Sequence, residues 1–226
     1  MSDQLSAIAT SDGAVRLEFG TLPVNEAAML RLQGYREPER VRPAIKKAMA
    51  RAARDAESLF QPRALFRQLQ AIDTGPGHLT FEGGVSLKTE AFGRYMTGAS
   101  AFVLFVVTMG DALDRRVSEA IAEEDVLHAL LLESAGWLGV ETATKRLVLH
   151  LKEEVVGPGQ RLSLRMGPGY SYKVDGSAVS WPLEQQAELF RLLRPEGLGM
   201  QLLESAAMLP KISRSGIYGI IPDLSS

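Results

Sequence analysis

The chain has 226 residues, of which 46% are hydrophobic and 23% charged, an ordinary balance for a globular protein that can bury a substantial core. A formal net charge of −2 provides no overall field that would attract nucleic acid or an acidic membrane surface. The absence of cysteine excludes disulfides, thiolate catalysis and cysteine-bound zinc or iron–sulfur centres, and with only three histidines we expect no metal-binding residues.

The first twelve residues are mixed and polar, without the basic-then-apolar order of a targeting segment. We expect residues 1–12 to be a flexible N-terminus and residues 13–226 to form a single domain. The most apolar strand-like run, residues 101–107, is far too short to cross a bilayer. Together with the lack of cysteine, these features predict a cytoplasmic protein with no membrane or nucleic-acid partner.

In the first half of the chain, apolar spacing and turn residues predict short elements of both types. Strands are predicted at residues 15–19, 65–72, 79–87 and 101–107, and helices at residues 26–32, 39–59 and 89–96. Pro38 is placed at the first turn of the second helix, and Gly83-Gly84 interrupts the third strand. The strand at 101–107 is apolar on both faces and is therefore expected to be buried.

The second half is dominated by one long helical pattern. Helices are predicted at residues 114–122, 126–154 and 183–193, strands at 161–165, 200–203 and 216–221, and a polar, glycine-containing loop at 166–180. Because helices and strands come in runs and do not alternate strictly, we predict an α+β fold, a single domain with an antiparallel or mixed β-sheet flanked by helices.

Two of the four glutamates on the long helix lie away from its C-terminal end, and the first half of this helix is apolar on nearly every face. Glu133 and Glu141 are about two turns apart, on roughly the same side. Because a buried carboxylate costs several kcal/mol unless it has a partner, either these residues lie at the helix margin and reach water, or each has a specific partner.

Several common catalytic patterns are missing. The sequence contains no phosphate-binding loop with its lysine, no dinucleotide fingerprint followed by a helix, no Gly-x-Ser-x-Gly turn and no His-Glu-x-x-His pair. We therefore predict no catalytic residues.

The segment that begins at Arg165 and ends at Tyr170 reads Arg-Met-Gly-Pro-Gly-Tyr. This Arg-x-x-x-Gly-Tyr motif at the end of a predicted strand resembles the signature loop of the activation domain of cobalamin-dependent methionine synthase, which binds S-adenosylmethionine. On its own the motif is more typical of an ordinary turn, because Gly-Pro-Gly occurs three times in the chain.

Other segments resemble the same family in the same order. They are residues 29–35, 107–110, 133–141, 181–193, the Glu-Ser and Met-Leu-Pro pieces of 203–210, and the Ser-x-Ser-Gly segment of 213–218. The resemblance therefore covers nearly the whole chain and implies a fold like the methionine synthase activation domain.

The resemblance implies that the chain binds S-adenosylmethionine. Arg165 would meet its carboxylate with a two-pronged contact, and Gly167 and Gly169 would allow close approach of the backbone. Tyr170 would stack or donate its hydroxyl, and Glu141 would offset the positive ammonium and sulfonium groups. Glu204 and Tyr218 are interpreted equally well as support for the fold.

The implied role is reactivation: the chain would support reductive methylation of cob(II)alamin in methionine biosynthesis. Cobalamin would be carried by a partner, a cobalamin-binding methyltransferase module, and a flavodoxin-like protein would donate the electron. The sequence contains no Asp-x-His-x-x-Gly cobalamin motif, so the chain is expected to act as a stand-alone component of a methyltransferase system.

Residues 171–180 depart from the pattern, because they make a longer connection than in the small relatives. This departure motivates an alternative: a non-catalytic docking or assembly subunit of a corrinoid methyltransferase that has lost S-adenosylmethionine binding. A third possibility is an enzyme that uses the fold for an unrelated small anion.

Overall fold

The computed structural model of the chain describes residues 5–223. Thirteen strands are present there: β1 (Leu5–Ala9), β2 (Val15–Phe19), β3 (Arg63–Leu69), β4 (Asp73–Gly75), β5 (His78–Thr80), β6 (Ser86–Lys88), β7 (Ala101–Thr108), β8 (Gln160–Leu162), β9 (Ser171–Val174), β10 (Ser177–Ser180), β11 (Gln201–Leu202), β12 (Met208–Leu209) and β13 (Ser213–Pro222). The α-helices are α1 (Glu26–Leu32), α2 (Pro43–Leu59), α3 (Phe92–Tyr95), α4 (Ala112–Ala122), α5 (Val126–Glu154) and α6 (Gln186–Leu193).

A six-stranded antiparallel sheet forms the centre, in the order β1-β2-β3-β7-β13-β8. All eight residues of β7 are buried, as its two-sided apolar pattern predicted. One face of the sheet packs against the core formed with α1, α2, α4 and α5, and the other against the core that includes α6 and the segments around residues 79–92. The α+β prediction with an antiparallel sheet flanked by helices is therefore confirmed.

Helix α5 spans Val126–Glu154, the limits that the sequence predicted. Glycines in its first half leave room for side chains of neighbouring segments. A Cβ atom at Gly139 would lie 2.8 Å from the Phe60 ring and 2.9 Å from the Met109 methyl carbon.

Several boundaries differ from the predictions. Helix α2 begins with Pro43 in its first turn, and Pro38 begins a separate 3₁₀ turn (Pro38–Arg40). The interruption expected at Gly83-Gly84 is present: the segment predicted at 79–87 forms β5 and β6, and the two glycines between them adopt positive φ angles of 81° and 76°. The strand predicted at 161–165 is only Gln160–Leu162.

The segment predicted as a polar loop contains the hairpin β9–β10. Asp175 and Gly176 connect its strands with φ angles of 47° and 85°. Positive φ at both central residues is typical of the tight turn that matches the twist of a hairpin, and Asp-Gly is among its favoured sequences.

The N-terminal prediction falls partly outside the described residues, which begin at Leu5. All five residues of β1 are exposed, and they pair with β2 at the edge of the sheet. The predicted flexibility of residues 1–12 concerns motion and stays a prediction, as does the domain boundary at residue 13. Within residues 5–223, no helix is both long and apolar enough to cross a membrane.

Candidate functional site

The Arg165–Tyr170 motif is attached to the sheet through Met166. The Met166 N–H donates to the Ile217 carbonyl at 3.0 Å, and the Ile217 N–H donates to the Met166 carbonyl at 2.7 Å. Gly216 makes this contact possible, because a Cβ there would lie 2.4 Å from the Met166 carbonyl oxygen. The Ser-x-Ser-Gly segment of β13 therefore holds the start of the motif.

The far end of the motif is anchored to a buried tryptophan. Gly169 has a φ of 85°, which favours glycine, and its N–H donates to the Trp181 carbonyl at 2.7 Å. The Trp181 N–H donates in turn to the Tyr170 carbonyl at 2.9 Å. The Trp181 side chain is fully buried and packs edge-on against the Phe92 ring, with ring centroids 5.1 Å apart.

The backbone of Gly167 is hydrogen-bonded to Tyr172 of the β9–β10 hairpin. Its N–H donates to the Tyr172 hydroxyl at 2.7 Å, and that hydroxyl donates to the Gly167 carbonyl at 3.1 Å. Burial raises the pKa of the Tyr172 phenol. Both backbone polar groups of Gly167 thus have a partner within the chain, so this glycine contributes space and shape to the motif.

A cleft of about 270 Å³ opens beside the motif, and we name it the first cleft. Arg165, Gly167 and Tyr170 line it together with Tyr95, Tyr172 and Ser215. Arg165 is half-buried, and within residues 5–223 its guanidinium forms no ion pair within 4.0 Å and no hydrogen bond. The first cleft therefore offers a cation with unused donors.

A neighbouring cleft of about 360 Å³, the second cleft, shares Tyr170 and Ser215 with the first. Gly169, Trp137 and Arg214 also line it. The Tyr170 and Trp137 side chains are 51% and 44% exposed, so both rings are available to a planar ligand. Tyr170 thus stands between two adjoining clefts.

Ser215 has a defined orientation at this border. The Gln186 amide donates to its hydroxyl at 2.6 Å, and the same hydroxyl donates back to the Gln186 amide oxygen at 2.9 Å. The pair ties α6 to β13 beneath both clefts.

Glu141 lines neither cleft but belongs to the same group of charges. Its Oε2 accepts a hydrogen bond from Arg214 Nη1, and Lys145 Nζ lies 4.0 Å from its Oε1. The bond from Arg214 lowers the pKa of the Glu141 carboxyl against the opposing effect of burial, and the charges of Arg214, Arg165 and Lys145 add to the lowering. The charge of Arg165 therefore acts on the Glu141 carboxylate.

Glu133, which also lies on α5, is likewise paired with a cation. Glu133 accepts a hydrogen bond from Lys211 Nζ, and its side chain is 30% exposed, against 40% for Glu141. Both carboxylates therefore reach water at the helix margin and are also paired.

Glu204 and Tyr218, which the sequence analysis also interpreted as support for the fold, lie in different environments. Tyr218 is 5% exposed and stacks on Phe105 at 5.3 Å between ring centroids, and its burial raises the phenol pKa to about 12. Glu204 is exposed, in the turn between β11 and β12. Tyr218 thus supports the core beneath Arg165, whose charge acts on its phenol.

Sequence reasoning missed Arg214 and Tyr172 as members of the site. Arg214 is the variable residue of the Ser-x-Ser-Gly segment, and strand alternation places it on the same face of β13 as Tyr218, towards α5. That alternation could have identified it. Tyr172 had no comparable signal, because its role depends on the hairpin.

A larger cleft of about 1180 Å³ lies along another face of α6, where Phe190 and Arg191 contribute to its wall. It contains none of the predicted site residues. Its size alone does not connect it to the motif, so we place the candidate site at the first and second clefts. Within the described residues, no group of three or more metal-ligating side chains is present.

No protein-family model matches the sequence, and no curated protein matches it. Among solved structures, the chain is similar to the MetH reactivation domain bound to AdoHcy, with a TM-score of 0.65 and 16% sequence identity. The similarity covers 95% of this chain and 80% of that one. The protein therefore has the fold of the MetH reactivation domain, as the order of its motifs predicted.

Proposed function

We propose that this protein binds S-adenosylmethionine and supports reductive methylation of cob(II)alamin on a separate corrinoid or methionine synthase protein. One observation carries the proposal. Arg165, a half-buried cation without an ion-pair partner in residues 5–223, lies at a glycine turn beside the exposed Tyr170 ring, coupled to the ionised Glu141. The solved domain of the same fold is described as bound to AdoHcy.

The charges of the site fit the ligand. S-adenosylmethionine carries a carboxylate, an ammonium and a sulfonium, and the planar guanidinium of Arg165 suits two-pronged binding of a carboxylate. Glu141 is the nearby anion that would offset the positive groups, and it is ionised at neutral pH because the pKa of its carboxyl is below the ordinary glutamate value. Tyr170 offers an exposed ring to stack on adenine.

Positioning is sufficient for the chemistry. When bound, S-adenosylmethionine supplies an activated methyl group, and its transfer to a strong nucleophile requires alignment but no acid or base. The protein's part is to hold the carboxylate at Arg165 and to aim the sulfonium out of the cleft. The partners are a cobalamin-binding methyltransferase module and a flavodoxin-like electron donor, and we propose the cytoplasm as the location.

Calorimetric titration tests the ligand. We expect both S-adenosylmethionine and S-adenosylhomocysteine to bind the wild type, and Arg165→Ala to weaken binding by about 2–3 kcal/mol because a charged hydrogen-bonded contact is lost. Arg161→Ala is the matched control. It removes an exposed arginine four residues earlier, whose Nε lies 3.9 Å from Asp223. Absence of binding at millimolar concentrations, with and without a corrinoid partner, refutes the proposal.

The reactivation step needs its own assay. A corrinoid methyltransferase in its cob(II)alamin form is mixed with an electron donor, S-adenosylmethionine and this protein, and methylcobalamin formation is followed by absorbance. We expect Arg165→Ala to slow the reaction under subsaturating ligand.

A docking subunit without ligand binding is the second candidate, and the Tyr172 contact favours it. The Tyr172 hydroxyl occupies both backbone polar groups of Gly167, which a ligand would otherwise use. Tyr95 reinforces the hairpin by donating its hydroxyl to the Lys173 carbonyl at 2.8 Å. Specific capture of a corrinoid protein, together with no binding of either nucleoside by the wild type, would select this function.

A further inference from the structure

Arg214 reaches Glu141 from inside the protein. It lies on β13 opposite Val107 of β7, on the sheet face that packs against α5. Its side chain is only 13% exposed, and its Nε is buried without a hydrogen-bond partner. The ion pair with Glu141 joins residues 73 positions apart and is partly screened from water.

The Glu141 carboxylate is paired with more than one cation. Arg214 donates a hydrogen bond to it, Lys145 Nζ lies 4.0 Å from its Oε1, and the charge of Arg165 adds to the lowering of its pKa. Lys145 is 73% exposed and acts mostly through solvent, whereas Arg214 is mostly buried and hydrogen-bonded. Arg214 is therefore the cation that most directly cancels the negative charge available to a ligand.

The pairing of Glu141 with Arg214 affects how the site distinguishes two ligands that differ in charge. S-adenosylmethionine and S-adenosylhomocysteine share the carboxylate, ammonium, ribose and adenine, and they differ in a methyl group and the positive charge on sulfur. A free carboxylate would favour the sulfonium form, and a neutralised one would not.

We infer that Arg214 is a specificity-determining residue. By neutralising Glu141, it sets how strongly the site prefers the cationic sulfonium ligand to the uncharged thioether. The inference rests on the proposed function, because it requires that both nucleosides bind at the motif. With Arg214 in place, Glu141 favours the sulfonium less than an unpaired carboxylate would, so the thioether competes better.

The test is a double-mutant cycle read as the ratio of the two dissociation constants, measured by calorimetry at low salt. Arg214→Met frees Glu141 and should shift the ratio towards S-adenosylmethionine by about fivefold. Glu141→Gln leaves Arg214 uncompensated and should shift it about fivefold the other way. The double variant has neither charge and should return to within about twofold of the wild type.

Lys211→Met is the matched control. Lys211 also lines the second cleft and also pairs with a glutamate of α5, Glu133, so its loss removes a similar cation without uncovering Glu141. The ratio should stay within about twofold of the wild-type value. Arg214→Gln serves as a second variant should the methionine variant fail to give the wild-type circular-dichroism spectrum.

The outcomes separate the two proposals. If both nucleosides bind the wild type and the ratio is the same in all variants, Arg214 does not set the preference, while the proposed function stands. If neither binds the wild type, the proposed function fails and the inference fails with it. Opposite shifts in the single variants that cancel in the double variant, and that shrink in high salt, support the inference.

Discussion

Replacing Gly216 by alanine tests whether β13 holds the motif in place. The new methyl carbon would lie 2.4 Å from the Met166 carbonyl oxygen and 3.0 Å and 3.1 Å from two atoms of the Phe105 ring. The Met166 oxygen belongs to the backbone and the Phe105 ring is fully buried, so neither can move away at little cost. The segment that carries Arg165 must therefore shift.

The expected loss in the free energy of unfolding of the Gly216→Ala variant has two contributions. Over-packing a well-packed core costs about 1–3 kcal/mol. The two Met166–Ile217 hydrogen bonds, at 3.0 and 2.7 Å, each contribute about 1 kcal/mol and will be weakened. We expect Gly216→Ala to lower the free energy of unfolding by about 2–4 kcal/mol and to weaken nucleoside binding as well.

Urea unfolding followed by circular dichroism measures the first effect. Gly197→Ala is the control, because Gly197 is exposed and a Cβ there meets no atom within 4 Å. We expect that variant to stay within about 0.5 kcal/mol of the wild type. A Gly216→Ala protein as stable as Gly197→Ala would refute the reasoning that this contact positions the motif.

Three further predictions concern individual side chains. Tyr172→Phe removes the hydroxyl that bonds both polar groups of Gly167, and urea unfolding should show a loss of about 1–3 kcal/mol; no loss would mean that water replaces the hydroxyl. Tyr218, whose folded pKa of about 12 exceeds the unfolded value of 10.0, contributes stability that is complete below pH 10 and is lost as pH rises through 12. Tyr218→Phe should abolish that alkaline loss in pH-dependent unfolding, and an unchanged profile would contradict the assignment. Arg214→Met should raise the pKa of Glu141 towards its ordinary value, as carboxyl NMR titration can measure, since the hydrogen bond that lowers it is gone.

The Glu141 shift also has a consequence for acid stability. Its folded pKa is below the ordinary glutamate pKa of 4.5, so the contribution of the ion pair is present above that pH and is lost as pH falls through the folded pKa. Because Glu141 is 40% exposed, we expect this contribution to be modest and to decrease in salt.

The sequence predicted an element correctly where the apolar pattern of that element alone shows which of its faces are buried. The limits of α5 were predicted correctly because its apolar positions, with Asp125 capping the first turn, define a helix without reference to other segments. The buried strand β7 was equally clear, because apolar residues on both faces require cover on both sides. Boundaries failed at short elements: the sequence did not separate the 3₁₀ turn Pro38–Arg40 from α2, and it extended β8 beyond Leu162.

The sequence by itself determined the order of the motif and its companion segments, and with it the α+β fold that the structural similarity supports. Only the tertiary structure decided how the motif residues are used. It placed the Tyr172 hydroxyl on Gly167, left Arg165 without an ion-pair partner in the described part of the chain, and brought Arg214 to Glu141 across 73 residues. Such contacts depend on which faces of a strand and a helix meet, and packing of the whole core sets that, since no periodicity within one segment encodes its distant partner.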